Sequence, residues 1–195
     1  MSFYPEKISE KFRAPKCAGK TPGANAVGTE ASFVCGSAVR FTLRIERETK
    51  KILEAKYQTS GCGFLIAAAE KLAEKIDGQK LTELHGLDRA HLQRQIENEL
   101  DKFPASRNHC LNLCLDALQA ALADFRAAQI EEFTGEKALI CTCFGVSEET
   151  IERAAREHSL ETVEQVTEIC SAGGGCGSCQ PLIQDILENA RFGEM

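Results

Sequence analysis

Ten of the 195 residues are cysteine, and their placement constrains this chain more than any other feature. Four fall in two tight pairs near the carboxyl end, Cys141-Thr142-Cys143 and Cys176-Gly177-Ser178-Cys179. Three more, Cys35, Cys62 and Cys110, stand far apart in the first two thirds. The amino terminus, MSFYPEKISEKFR, is charged from Glu6 onward and has no apolar core, so no secretory leader is expected. A disulfide scaffold of the exported kind is therefore disfavoured, and metal or redox chemistry becomes the leading expectation. No apolar run approaches the ~18 residues of a membrane span. The net charge of -6 argues against a nucleic-acid partner. No P-loop, dinucleotide fingerprint or Ser/His/Asp set is apparent, so an enzyme in the turnover sense is not expected.

Charge divides the chain in two. Residues 1–133 carry 19 Lys/Arg and 18 Asp/Glu, whereas residues 134–195 carry 4 and 11. The shift predicts two modules, 1–133 and 137–195, with a polar, Gly-containing seam near Glu131–Lys137. In the first module residues 15–30 hold Pro15, Gly19, Pro22, Gly23 and Gly28 and read as loop. Residues 39–46 alternate apolar and polar, the period of a half-buried strand. Residues 52–59 supply its hairpin partner across Arg47–Lys50, and a shorter strand is expected through Ser32-Phe33-Val34. Helical spacing then takes over, first through Phe64, Leu65, Ala68, Leu72 and Ile76. A second helix is expected over Arg89–Leu100 and, beyond Pro104, a third with Leu111, Leu115, Leu118, Leu122 and Phe125 on one stripe. The second module reads as mostly helical. Ser147 caps a helix that opens with Glu148 and Glu149. Thr162 and Gln165 have capping-box spacing, and Pro181 suits the first turn of a last helix through Glu188. The fold class is α+β: an antiparallel three-stranded sheet packed with helices, then a small helical domain.

The tail cysteines can bring four thiolates around one centre. The glycines of Ala172–Gly177 permit unusual backbone angles and let N–H groups face sulfur, as iron–sulfur clusters favour. Structural zinc is the alternative. It is weakened because the span between the pairs exceeds the ~15–20 residues of a zinc ribbon, and because one pair is CxC. Disulfides or free thiols are the remaining alternative. Cys170 is explained by a helical apolar position.

In the first module Cys35, Cys62 and Cys110 all sit at element junctions, two of them beside glycine. With His109 they make a four-ligand set for iron or zinc. The competing reading is three small buried residues, since free cysteine is commonly buried. Cys114, between leucines at helical spacing, reads as core packing. Cys17 reads as a free surface thiol, and His85, His91 and His158 as solvated.

These residues resemble the NifU family of iron–sulfur cluster scaffolds over nearly the whole chain. Tyr4–Lys7, Gly23–Gly28, Cys35-Gly36, Gly61-Cys62-Gly63 and His109-Cys110 are similar to its IscU-like domain. Cys141-x-Cys143 and Gly175-Cys176-x-x-Cys179 are similar to its ferredoxin-like domain, of the kind found in bacterioferritin-associated ferredoxin. The resemblance implies a transient, transferable 2Fe-2S or 4Fe-4S cluster, or iron or zinc, on Cys35, Cys62, His109 and Cys110. Cys110 would receive sulfane sulfur from a NifS- or IscS-like cysteine desulfurase. It implies a permanent 2Fe-2S cluster on Cys141, Cys143, Cys176 and Cys179, which exchanges electrons during assembly or release. It implies further a cytoplasmic protein of nitrogen fixation or related assembly, delivering to apo iron–sulfur proteins, and it allows a homodimer. Two rival functions remain: an electron-transfer protein that uses only the tail cluster, and a zinc-bound sulfur acceptor or regulator of a desulfurase.

Three departures from the family pattern stand out. Ser37 occupies the place of an Asp linked to cluster lability, so the cluster is expected to be retained longer or released differently. Phe103–Arg107 replaces the Leu-Pro-Pro chaperone motif, so delivery through the dedicated chaperone pair is not expected. The chain reaches Met195 without the family's third, CxxC-bearing domain, so one assembly site is expected to be missing or separately encoded.

Overall fold

A computed structural model describes residues 3–84, 89–100, 103–131 and 138–192. The chain divides into two compact units. The first comprises Met1–Ile45, Ile52–Gln79 and Leu87–Phe125, the second Glu46–Lys51, Lys80–Gly86 and Arg126–Met195. In chain order the elements are α1 (Glu6–Arg13), β1 (Ala26–Ala31), β2 (Ala38–Ile45), β3 (Ile52–Thr59), α2 (Gly63–Ile76), α3 (Leu81–Leu84), α4 (Arg89–Leu100), α5 (Asn108–Glu131), β4 (Leu139–Cys141), β5 (Val146–Ser147), α6 (Glu148–His158), α7 (Val163–Cys170) and α8 (Gln180–Phe192).

In the first unit β1, β2 and β3 form an antiparallel sheet in that order, with Ala26 opposite Leu43 and Val39 opposite Thr59. The expected alternation holds in β2, where Val39, Phe41, Leu43 and Ile45 are buried and Arg40 and Arg44 are exposed. Thr42 breaks it. The loop ahead of β1 covers the opposite face there, and the Thr21 amide donates to Thr42 Oγ1 at 3.0 Å while Thr21 Oγ1 donates to the Thr42 carbonyl at 2.8 Å. The register shifts between Arg44 and Ile45. Such a bulge moves a strand's side chains across its face, so Ile52 is buried on one parity of β3 and Ala55 and Tyr57 on the other.

Two expectations for this sheet are corrected. The third strand is Ala26–Ala31, not Ser32-Phe33-Val34, and residues 15–30 are not loop throughout. Gly28, counted among the loop glycines of residues 15–30, lies in a strand and serves a close approach. A Cβ there would stand 2.1 Å from the Ala117 carbonyl oxygen and 2.2 Å from the Ala121 nitrogen of α5. Ser32–Ser37 is a hydrogen-bonded turn, with the Ser32 amide donating to the Ser37 carbonyl and the Gly36 amide to that of Ser32, both at 2.8 Å. Phe33 and Val34 project from it, fully exposed.

The helices follow their apolar periodicity. α2 buries Phe64, Leu65, Ala68, Leu72 and Ile76, and α4 buries Leu92, Ile96 and Leu100 over the expected span. α5 buries Leu111, Leu115, Leu118 and Phe125. Glu70 is also buried on α2, and it accepts the Lys16 and Cys17 amides at 2.7 and 3.1 Å, pinning the chain ahead of β1.

In the second unit both expected caps are present. The Thr150 amide donates to Ser147 Oγ at 3.2 Å, and Thr162 and Gln165 form a reciprocal capping box. Pro181 lies in the first turn of α8. The short β4–β5 ribbon was not expected. Its strands are two and three residues long, too short for periodicity to register. Most of the expected seam, and His85, lie outside the described residues.

Candidate metal centres

Three segments of the first unit bring the front cysteines together. Cys35 is exposed on the Ser32–Ser37 turn. Cys62 occupies the N-cap position of α2. His109 and Cys110 lie in the first turn of α5, entered through Pro104 and a single 3₁₀ turn, Ala105–Arg107. Tyr4 anchors the start of α2: its hydroxyl accepts the Gly63 amide at 3.2 Å, and its ring meets those of Phe12 and Phe64 edge-on at 4.9 and 5.2 Å.

The contacts run in series. Cys62 Sγ is 3.9 Å from Cys110 Sγ, Cys110 Sγ is 3.7 Å from His109 Nε2, and Cys35 Sγ is 3.6 Å from the same nitrogen. All four candidates of the first module therefore share one site. They are linked pairwise; among the described residues no three His, Cys, Asp or Glu are grouped as a finished metal cage.

The electrostatics are graded along the series. The Ser32 and Ser37 hydroxyls and the Ser37 amide donate to the Cys35 sulfur and hold its thiol down to about 6. Burial, with Cys62 nearby, pushes Cys110 up to about 12. Ser37 therefore acts as a donor to the Cys35 thiolate.

Other residues fall as follows. Cys114 is fully buried, its Sγ directed at the Leu65 carbonyl at 3.9 Å, as core packing requires. His91 and His158 are exposed, as expected. Cys17 is not the surface thiol expected. It is partly buried beside Glu70, and burial followed by the Glu70, Glu74 and Asp77 charges pushes its thiol up to about 11.

The tail cysteines assemble around the β4–β5 turn and the loop before α8. Cys141 ends β4, Cys143 follows in the turn, Cys176 is exposed in the loop and Cys179 directly precedes α8. Cys143 and Cys176 lie 3.5 Å apart, and Cys141 pairs with Cys179. Gly173 and Gly177 turn the loop through φ of +85° and +77°, a region costly for other residues. The turned backbone aims amides at sulfur, Cys176 N–H at Cys143 and Gly173 N–H at Cys179. The Ser178 hydroxyl and amide serve Cys176, whose thiol is lowered to about 7. Burial, followed by the Cys141 charge, pushes Cys179 up to about 11. Cys170, by contrast, points back along α7 to the Val166 carbonyl at 3.3 Å. Four cysteines in two close pairs, with amides turned toward their sulfurs, fit a [2Fe-2S] cluster in donor type and surroundings.

Sequence comparison finds two family models in the chain. Residues 3–132 match the family model described as NifU-like N terminal domain. The chain belongs to this family. Residues 139–189 match the BFD-like [2Fe-2S] binding domain, so the NifU-like module is followed by a 2Fe-2S module. The chain is 36% identical over 184 residues to the nitrogen fixation protein NifU of Azotobacter chroococcum mcd 1, covering 94% of this chain and 58% of that one. It is 33% identical over 135 residues to the iron-sulfur cluster assembly scaffold protein IscU of Aquifex aeolicus, covering 68% of this chain and 83% of that one. The first NifU relatives are thus longer, and the chain spans 58–64% of their length. A nitrogen-fixing NifU-like protein (N-terminal) from Brucella abortus shares the fold with a TM-score of 0.51 at 17% identity, over 63% of this chain and 94% of that one. Among the described residues no helix is long and apolar enough to cross a membrane.

Proposed function

We propose that this NifU-like chain is a scaffold on which iron and sulfide are assembled into clusters and passed to apo-proteins. The observation that carries the reading is the convergence of Cys35, Cys62, His109 and Cys110, from three distant segments, into contacts of 3.6–3.9 Å with one exposed end. A carrier that must release its cargo needs ligands a recipient's thiols can reach and displace. Cys35 offers such an edge, while His109 is a weaker ligand than a thiolate. Cys62, Cys110 and His109 form the inner wall against which the cargo is built.

The tail set has the opposite character. Cys141 and Cys179 are buried, and amides from the Gly173–Ser178 loop face the sulfurs. These residues suit a resident [2Fe-2S] cluster, held by Cys141, Cys143, Cys176 and Cys179, which supplies one-electron chemistry when bound. The chain divides functionally into a cargo module, 1–133, and a resident-cluster module, 137–195. It works as a scaffold rather than an enzyme, takes sulfur from a cysteine desulfurase of the NifS or IscS kind, and delivers to apo iron–sulfur proteins in the cytoplasm.

The test is anaerobic reconstitution of the whole chain with a cysteine desulfurase, cysteine and ferrous iron. The expected result is a chelator-labile cluster in addition to a chelator-resistant one, with the labile cluster passing to an apo-ferredoxin. Formation of the resistant cluster alone would overturn the scaffold reading and leave an electron-transfer protein.

A further inference from the structure

The turn between β2 and β3, Glu46–Lys51, belongs to the second unit, and it carries a lysine in an unusual place. Lys50 is 4% exposed. Lysine is almost never buried to that degree, because its ammonium must leave water for the interior. Its backbone stands at φ +55°, in the left-handed region that costs any residue with a side chain. Two such costs at one residue point to a use for the charge itself. The ammonium is held in place from both ends. The Lys50 carbonyl accepts the Leu81 amide at 2.9 Å, and Lys50 Nζ donates to Gln129 Oε1 at 2.7 Å. Gln129 is seated against Gly145, where a Cβ would stand 2.5 Å from the Gln129 Cβ.

Lys50 faces the back of the resident-cluster site. It lines a cleft of about 560 Å³ together with Cys170 and Val146. Val146 is the partner of the ligand Cys141 on the β4–β5 ribbon. Burial draws the Lys50 ammonium down to about 8, while the Cys170 and Cys141 sulfurs favour its charged form. That value leaves it charged at pH 7. The other charged side chains of the cleft, Arg47, Glu48, Arg153 and Glu157, are exposed, and solvent ions screen them. A buried charge acts through a lower dielectric and is felt more strongly at the same distance. The rest of this module is negative, with 4 Lys/Arg against 11 Asp/Glu over residues 134–195.

We propose that Lys50 sets the reduction potential of the resident [2Fe-2S] cluster, as a buried cation held on its Cys141 side by Gln129. This inference rests on the reading that Cys141, Cys143, Cys176 and Cys179 hold that cluster. Reduction brings one electron to the site, so the reduced state is the more negative one. A fixed cation nearby favours that state and makes the cluster easier to reduce. Lys50 acts through space and contributes no ligand atom.

The experiment uses the full chain, purified anaerobically with its chelator-resistant cluster, and a one-electron dye of known potential at pH 7. The reduced dye loses one electron and the cluster gains it, and the equilibrium is read from the visible spectrum. Lys50→Met keeps the length of the side chain and removes the charge. It is expected to shift the equilibrium at least about tenfold toward the oxidised cluster, which is about 59 mV more negative for a one-electron couple. Lys50→Arg restores a cation and is expected to lie within about threefold of the parent. Arg153→Gln removes an exposed charge from the same cleft and is expected to stay within about twofold. A lysine that only braced the turn would leave the potential unmoved in all three.

A potential unmoved in Lys50→Met, or moved as far in Lys50→Arg or Arg153→Gln as in Lys50→Met, would overturn the role of this buried charge. If Lys50→Met does not retain the cluster, the shorter, polar Lys50→Gln carries the same test. Loss of the cluster from both neutral variants would make Lys50 a brace of the fold and would also overturn the proposal. In each of these outcomes the parent still holds its resistant cluster, so the resident-cluster reading survives. A parent that yields zinc, or no one-electron chromophore, would overturn both.

Discussion

Gly28 of β1 lies so close to Ala117 of α5 that a methyl group on it would stand 2.1 Å from the Ala117 carbonyl oxygen. The obstacle is backbone, which cannot swing aside as a flexible side chain can. Gly28→Ala must therefore push strand and helix apart. We expect a loss of about 3 kcal/mol, at the upper end of ordinary overpacking, read as a lowered urea midpoint with an unchanged slope. Because α5 carries His109 and Cys110 at its other end, the variant is also expected to bind less iron at the front site. A midpoint unchanged from the parent would show that the contact is looser than described.

The same glycine shows where the sequence was legible and where it was not. Period-2 alternation marked β2 and β3, and helical spacing marked α2, α4 and α5, because those patterns are local. β1 was hidden by Gly28, whose small size answers a helix distant in sequence and whose effect on a pattern is that of a turn. Phe33 and Val34 misled in the opposite direction. They are apolar yet fully exposed, and only the folded turn reveals it. The ligand candidates were legible from residue type and position at element junctions. Their environments were not. Ser32, Ser37 and Ser178 matter through hydroxyls and amides that reach sulfur only after the loops have folded. The burial of Cys110, which separates an inner ligand from an open one, likewise exists only in the packed structure.

The serines around Cys35 make a prediction about its acidity. Hydroxyl donors from Ser32 and Ser37 stabilise the thiolate and hold the thiol near 6, against an ordinary value of 9.0. Removing a donor to the ionised form must raise the pKa. Ser32→Ala and Ser37→Ala are each expected to move the Cys35 alkylation midpoint toward 9.0, and the double variant furthest. Ser37→Asp is expected to raise it as well, since a carboxylate replaces a donor beside the thiolate. The measurement is iodoacetamide alkylation against pH under chelator, with the Cys35 peptide quantified by mass. Midpoints identical across the series would remove the assigned role of these hydroxyls.

Cys17 carries a linkage with the opposite sense. Its thiol is pushed up to about 11 by burial and by the Glu70, Glu74 and Asp77 charges, against 9.0 for a free thiol. The folded chain therefore keeps a proton that the unfolded chain gives up. The contribution to stability is fully present below pH 9.0 and is lost progressively as pH rises toward about 11. Cys110 and Cys179 act with the same sign when no metal is bound. The informative quantity is thus the difference between the parent and Cys17→Ser in the metal-free state. The variant is expected to lose less stability over that pH range, measured by urea unfolding at a series of pH values. Parallel pH profiles for the two proteins would disprove the linkage.

The tail site separates the role of a ligand from that of a donor beside it. Cys176 is one of four proposed cluster ligands, so Cys176→Ser is expected to bleach most of the visible absorption of the protein as isolated. Cys35→Ala is expected to leave that spectrum intact while abolishing the chelator-labile cluster. Ser178 is different: its hydroxyl oxygen is 3.4 Å from Cys176 Sγ and its amide faces the same sulfur. A donor to a ligand sulfur stabilises the more negative, reduced state of a cluster, so removing one makes reduction harder. Ser178→Ala, which keeps the amide, is therefore expected to retain the colour and to shift the reduction potential to more negative values, measured by anaerobic dye titration. A bleached Ser178→Ala would make Ser178 a structural requirement of the loop, and an unmoved potential would mean that its hydroxyl does not face the cluster.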